Sequence, residues 1–167
     1  MSRPSEPPQP VYLALGTNLG DRQGNLTTAL QMLREHVTIE QCSAVYETEP
    51  AYVTEQPHFL NMVARGTTAL SPHALLAFLK HLERALGRQP GLRYGPRLID
   101  LDILFYGEAV LNTPDLVIPH PHFAERAFVL IPLAEITPNL VPPGSEQTVA
   151  ALAEQVGMQG AVVWRGA

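Results

Sequence analysis

Among the 167 residues there is a single cysteine, Cys42, and a single lysine, Lys80. One cysteine excludes an internal disulfide and any cysteine-built zinc or iron–sulfur centre, and it suits a reducing compartment, so a cytoplasmic location is expected. Ten arginines and that one lysine face 16 Asp and Glu, a formal charge of −5, which argues against a general nucleic-acid or anionic-membrane surface. Long apolar runs are also missing, and none approaches the roughly 20 residues of a spanning helix. The first ten residues hold four prolines and no apolar stretch. Residues 1–10 therefore read as a flexible proline-rich tail, with no signal peptide, and residues 11–167 as a single domain. What is present is ample core material. Hydrophobic residues make up 46% and charged residues 16%, which fits one globular domain, a monomer by size and charge.

The pattern of elements is that of an α+β chain. Val11 to Leu15 is a short apolar run stopped by Gly16, which suits a buried strand. Beyond Asp21 at an N-cap, Leu26, Ala29, Leu30 and Leu33 recur at helical spacing. Val37 to Tyr46 reads as a strand, Glu47 to Pro57 as a functional loop, and Phe59 to Thr68 as a second apolar, β-branched strand. Ser71-Pro72 opens a helix in the favoured order of N-cap and first-turn proline. Its buried stripe is Leu75, Phe78, Leu79, Leu82 and Leu86, and Gly87 stops it. In the strand Leu98 to Tyr106, Ile99, Leu101, Ile103 and Phe105 point one way and Asp100 and Asp102 the other. From Asn112 to Thr148 repeated prolines leave room only for short elements. The order strand, helix, strand, strand, helix, strand predicts a ferredoxin-like sandwich, an antiparallel sheet with helices packed on it.

Two carboxylates at i, i+2 on one strand face repel each other at neutral pH unless a cation or water intervenes. Asp100 and Asp102 therefore fit a Mg²⁺–nucleotide anchor, or else the solvated face of a half-exposed strand. The neighbouring residues favour the first. Arg84, Arg88, Arg93 and Arg97 precede the pair, and planar guanidinium forks suit phosphate oxygens. Pro90, Gly91 and Gly95 around Arg93 suggest a loop that closes on a substrate. A Walker A loop is excluded, because Lys80 follows Leu79 and no Gly-Lys-Ser/Thr exists, and Gly-x-Gly-x-x-Gly is absent. His120 and His122 lack an obvious third ligand for zinc, so phosphate binding or packing suits His120 better. Phe59 and Phe128 stand near expected strand starts, where core packing is the simplest reading.

With these residues in hand, the chain resembles the 6-hydroxymethyl-7,8-dihydropterin pyrophosphokinase family of folate biosynthesis. The most specific stretch is Arg93-Tyr94-Gly95-Pro96-Arg97-Leu98-Ile99-Asp100-Leu101-Asp102-Ile103-Leu104. Supporting it in order are Gly16-Thr17-Asn18-Leu19-Gly20-Asp21, Tyr46-Glu47-Thr48-Glu49-Pro50, Gln56-Pro57-His58-Phe59-Leu60-Asn61, Ile118-Pro119-His120-Pro121-His122 and Arg126-Ala127-Phe128-Val129-Leu130. The resemblance implies a single catalytic domain that moves pyrophosphate from ATP, the co-substrate, to the pterin hydroxymethyl oxygen, releasing AMP. It implies two Mg²⁺ ions held by Asp100 and Asp102, and catalytic roles for these with Arg88 and Arg93. Arg88, Arg93, Arg97, His120 and Arg126 match phosphate or nucleotide contacts, and Ile103 matches a residue beside the adenine. Phe59 and Phe128 match the rings that sandwich the pterin, and Asn61 matches the amide on its pyrimidinone edge. Thr48 and Ala51 match loop positions on that edge. Lys80 and Glu83 align near the nucleotide, but surface pairing at i, i+3 accounts for them as well.

Other readings share some of these residues. A different Mg²⁺-dependent transferase, such as an ordinary kinase, uses the same Asp pair and arginines but yields ADP. A non-catalytic ferredoxin-like ligand-binding module binds its ligand without a metal requirement.

Overall fold

The computed structural model describes residues 7–49, 55–87 and 98–166. At its centre β1 (Gln9–Thr17) lies antiparallel between β4 (Phe59–Thr68) and β5 (Asp100–Tyr106). Two further strands, β2 (Val37–Cys42) and β3 (Tyr46–Thr48), both pair with β4. The sheet follows the order β5-β1-β4-β3-β8, where β8 is Val162–Val163 near the C-terminus. A separate hairpin joins β6 (Leu111–Asn112) to β7 (Val117–Ile118). This is the expected α+β ferredoxin-like arrangement, with a helical layer on each side of the sheet.

On one face lie α1 (Arg22–Leu33) and α2 (Pro72–Ala85), begun by side-chain caps from Asp21 to the Gly24 N–H and from Ser71 to the Ala74 N–H. Gly87, at φ +95°, ends α2 in a conformation that L side chains rarely adopt. Leu26, Ala29 and Leu33 of α1 and Leu75, Phe78, Leu79 and Leu82 of α2 pack on Val11, Leu13, Leu15, Met62, Leu101 and Ile103. The opposite face is covered by α3 (Ala127–Ile136) and α4 (Val149–Val156). There Val129, Leu130, Leu133, Ile136, Val149 and Leu152 pack on Val63, Leu104 and Phe105.

Four boundaries and faces differ from expectation. β1 opens at Gln9, so two residues assigned to the tail pair in the sheet, and it runs through Gly16 to Thr17. Glycine there does not stop the strand, because β4 and β5 both pair alongside it. The expected strand over 37–46 is split by residues 43–45 into β2 and β3, and β3 takes in Glu47 and Thr48 from the expected loop. In β5 the register shifts, with Tyr12 opposite Phe105 and Leu13 opposite Ile103. Leu104 is the extra residue of this bulge, and Phe105 therefore leaves the face of Leu101 and Ile103 for the other core, where its ring meets Tyr12 and Phe123 edge-on. Among the described residues, no helix is long and apolar enough to cross a membrane.

Candidate active site

Register alone brings the main candidates to one face. Gly16 of β1 stands opposite Asp100 on one side and Asn61 on the other, and Asn61 in turn stands opposite Tyr46. Ala14 is opposite Asp102 and Val63, and Phe59 is opposite Thr48. Side chains two residues apart share a face, so Asp100, Asp102, Phe59, Asn61, Thr48 and Tyr46 all rise from the side that α3 covers. Between the acidic pair and Asn61, the central strand contributes only Gly16 and Ala14. The result is a recess whose floor has almost no side chains.

One wall of the recess is amide and hydroxyl. Asn61 and Thr48 are buried, and the Asn61 amide donates to Thr48 Oγ1 at 2.6 Å. The approach to β4 is tied down by Asn18, whose amide donates to Gln56 Oε1 at 3.0 Å and to the Pro57 carbonyl at 2.9 Å. Arg22 adds bonds to Glu47 Oε2 and the His58 carbonyl, each 3.0 Å, and its guanidinium lies 4.9 Å from the Trp164 ring. β3 is braced against α3 by Glu135, which accepts from the Tyr46 hydroxyl at 2.6 Å and from the Ala44 N–H at 2.8 Å. Burial and the Glu135 carboxylate push the Tyr46 hydroxyl up to about 12, so it remains a donor.

The other wall is charged. Burial pushes the Asp102 carboxyl up to about 7, with Asp100 and then Glu83 adding to the rise, while Lys80 and Arg126 oppose it. A carboxyl whose ionisation is resisted by burial and by a neighbouring carboxylate is one that a hard divalent cation stabilises, so Asp102 beside Asp100 fits Mg²⁺. Arg126 caps the start of α3 and lies with its guanidinium 5.5 Å from the Phe128 ring. Phe128 thus stands in the first turn of a helix, where a strand start was expected. His120 is pushed down to about 4, chiefly by burial and then by Arg126 and His122. Its Nδ1 accepts the His122 N–H at 3.2 Å, so a neutral His120 carries its proton on Nε2 and presents that atom as a donor. The backbone holds it there, with the His120 N–H donating to the carbonyl of the bulged Leu104 at 3.1 Å.

His122 pairs with Glu125 at 2.5 Å, and the two imidazoles lie 6.2 Å apart, centroid to centroid. Among the described residues, no group of three or more His, Cys, Asp or Glu is placed to hold a metal. Ile103 is buried in the α1 and α2 core, beyond the acidic pair on β5. Arg88, Arg93, Arg97 and Ala51 lie outside the described residues.

Glu83 corrects the surface reading of its pair with Lys80. Its side chain is 1% exposed, it meets Lys80 Nζ at 3.4 Å, and its Oε2 accepts the Leu101 N–H at 2.9 Å. Spacing at i, i+3 gave no sign of this, since the partner that buries Glu83 is a strand edge remote in sequence.

Fold and site together define a ferredoxin-like α+β protein with an acidic pair and a buried amide on one face of its sheet. Comparison with known proteins names the family. The model of the 7,8-dihydro-6-hydroxymethylpterin-pyrophosphokinase family matches residues 12–138, and the chain belongs to that family. It is 40% identical over 157 residues to the 2-amino-4-hydroxy-6-hydroxymethyldihydropteridine pyrophosphokinase of Bacillus subtilis, covering 93% of this chain and 90% of that protein. It is 48% identical over 132 residues to a mitochondrial folate synthesis bifunctional protein of Arabidopsis thaliana, covering 78% of this chain but only 24% of that longer protein. Among solved structures, the HPPK-DHPS of Plasmodium falciparum superposes with a TM-score of 0.76 at 17% identity, over 89% of this chain and 45% of that one. That likeness is one of fold.

Proposed function

We propose that this protein transfers pyrophosphate from ATP to the hydroxymethyl group of 6-hydroxymethyl-7,8-dihydropterin, giving AMP and the pterin diphosphate in folate biosynthesis. The observation that carries the reading is the single sheet face on which Thr48, Phe59 and Asn61 stand across Gly16 and Ala14 from Asp100 and Asp102. A flat heterocycle in that recess lies between amide and acid walls, its substituent toward the carboxylates.

In this reaction the hydroxymethyl oxygen attacks the β-phosphorus of ATP, the bond from that phosphorus to the α–β bridging oxygen breaks, and the hydroxyl proton is lost to solvent. Phe59 and Phe128 stack on the two faces of the pterin, and Asn61 pairs with its pyrimidinone edge, which fixes the ring's rotation as well as its position. The Thr48 hydroxyl holds the Asn61 amide, and Ala51 lies on the same edge of the ring. Arg126 and the Nε2–H of neutral His120 donate to phosphoryl oxygens, together with Arg88, Arg93 and Arg97, and Ile103 borders the adenine. Asp100 and Asp102 hold two Mg²⁺ ions, which when bound neutralise charge on the phosphoryl oxygens and lower the acceptor's pKa. The protein acts as a cytoplasmic monomer in this reading, supported by its single cysteine, size and net charge.

The test is nucleotide product analysis with ATP and Mg²⁺, with and without the pterin. Pterin-dependent AMP, absent when Mg²⁺ is chelated, is the expected result. ADP would instead mean an ordinary kinase, and no turnover a binding module.

A further inference from the structure

We infer that Gly16 determines specificity for the heterocycle: by contributing no side chain, it keeps the Asn61 amide oxygen open to a ring edge that bears an N–H donor. This rests on the pterin reading above and assigns a role to a residue that touches no reacting atom.

Gly16 is not needed for backbone reasons. It lies within β1 and is not among the glycines with positive φ, unlike Gly87, so an alanine fits its backbone. What demands glycine is the space above it. A Cβ at this position would stand 2.8 Å from Asn61 Oδ1 and 3.8 Å from Phe59 Cδ1, the first closer than real Cβ contacts. The crowded atom is therefore the acceptor of the amide.

Asn61 has no easy retreat. Its Nδ2 is held by Thr48 Oγ1 at 2.6 Å, so turning the amide away from a methyl at position 16 breaks that bond inside a buried site. With the bond intact, Asn61 retains one N–H and its Oδ1, a donor and an acceptor side by side. That pair complements a ring edge that sets one donor beside one acceptor, such as an amide-like N–H and C=O. Asp100 and Asn61 stand on either side of Gly16, two strand spacings or about 10 Å apart, a span comparable to that of a flat fused ring.

The experiment is a double-mutant cycle of Gly16→Ala and Asn61→Ala in the full chain. Affinity for 6-hydroxymethyl-7,8-dihydropterin and, separately, for a non-hydrolysable ATP analogue is measured by titration calorimetry. Gly16→Ala alone should weaken pterin binding about tenfold or more while nucleotide affinity holds within about twofold. In the Asn61→Ala background the same change should cost less than about twofold, because the atom it crowds is gone. Equal cost in both backgrounds, or parallel loss of nucleotide binding, overturns the inference while leaving the pterin reading intact. Failure of the unmodified protein to bind the pterin overturns that reading first. Should Gly16→Ala not fold, Asn61→Ser is combined with it; the shorter side chain should restore folding, and failure to do so refutes the clash.

Discussion

The Glu83 carboxylate of α2 accepts the Leu101 N–H at 2.9 Å, between the two aspartates of β5. β5 is the edge strand of the sheet, and its other edge pairs with β1, so the Leu101 N–H faces away from the sheet. Edge strands leave such groups to water or to a cover. Here a buried carboxylate supplies the cover, and Lys80 at 3.4 Å balances its charge. The strand that carries the acidic pair is thus held by the Glu83 side chain, whose charge also adds to the rise of the Asp102 carboxyl.

Glu83→Ala should destabilise the protein by about 3 kcal/mol, because it strips a buried N–H of its acceptor and Lys80 of its partner. Glu83→Gln keeps an acceptor for Leu101 and should recover about half of that loss. Urea unfolding of both variants checks the order, and equal losses would show that charge alone matters at this position.

Tyr46→Phe removes the 2.6 Å bond to Glu135, a bond to a charged acceptor. The expected cost is about 2 kcal/mol, measured by denaturant unfolding. Because this bond braces β3, which carries Thr48, against α3, which carries Phe128, pterin affinity should fall several-fold as well. Nucleotide affinity should not change, and a parallel drop in both would mean that the bond serves the fold alone.

His120 gives a pH signature. Its folded value is pushed from 6.5 down to about 4, so below about 6.5 the unfolded chain binds a proton that the folded one refuses. The stability from keeping this imidazole neutral is present above 6.5 and is lost as pH falls toward 4. His120→Gln, whose amide oxygen can still accept the His122 N–H, should flatten that decline between pH 4 and 6.5. Urea midpoints across this range for the two proteins decide it; superimposable curves would show that His120 is not buried as a neutral base.

How far the fold could be read in advance follows from which signals are local. β4 runs over Phe59–Thr68 and α2 from Pro72, because an apolar β-branched run, a Ser-Pro start and a Gly stop are all signals carried by adjacent residues. The bulge at Leu104 is different in kind. Alternation along β5 predicted Phe105 beside Ile103, but a bulge exists only relative to the register of β1, which no pattern within β5 reveals. Gly16 ends the apolar run but not the strand for the same reason, since its neighbours in β4 and β5 keep it in the sheet. The acidic pair and the Phe59-Leu60-Asn61 motif were legible in the sequence, whereas their meeting across Gly16, and the burial of Glu83, depend on strands and helices far apart in the chain.

Asp102→Asn separates chemistry from binding. The carboxyl is pushed from 3.8 up to about 7, so between these values the folded protein holds a proton that the unfolded chain releases. Its contribution to stability is full below about 4 and is lost as pH rises through 7, the opposite slope to that of His120. Asparagine cannot ionise, so the metal-free variant should lose less stability than the unmodified protein between pH 5 and 8. Added Mg²⁺ should raise the stability of the unmodified protein at pH 8 and leave the variant nearly unmoved, since half of the acidic pair is gone. Turnover should be abolished while pterin affinity, assigned above by proposal to Phe59, Asn61 and Phe128, persists within about threefold. Urea curves at the two pH values, with and without Mg²⁺, and pterin titrations check these outcomes together. Equal loss of turnover and pterin binding would place Asp102 in the pterin slot itself and contradict the division of the recess into a recognition wall and an acidic wall.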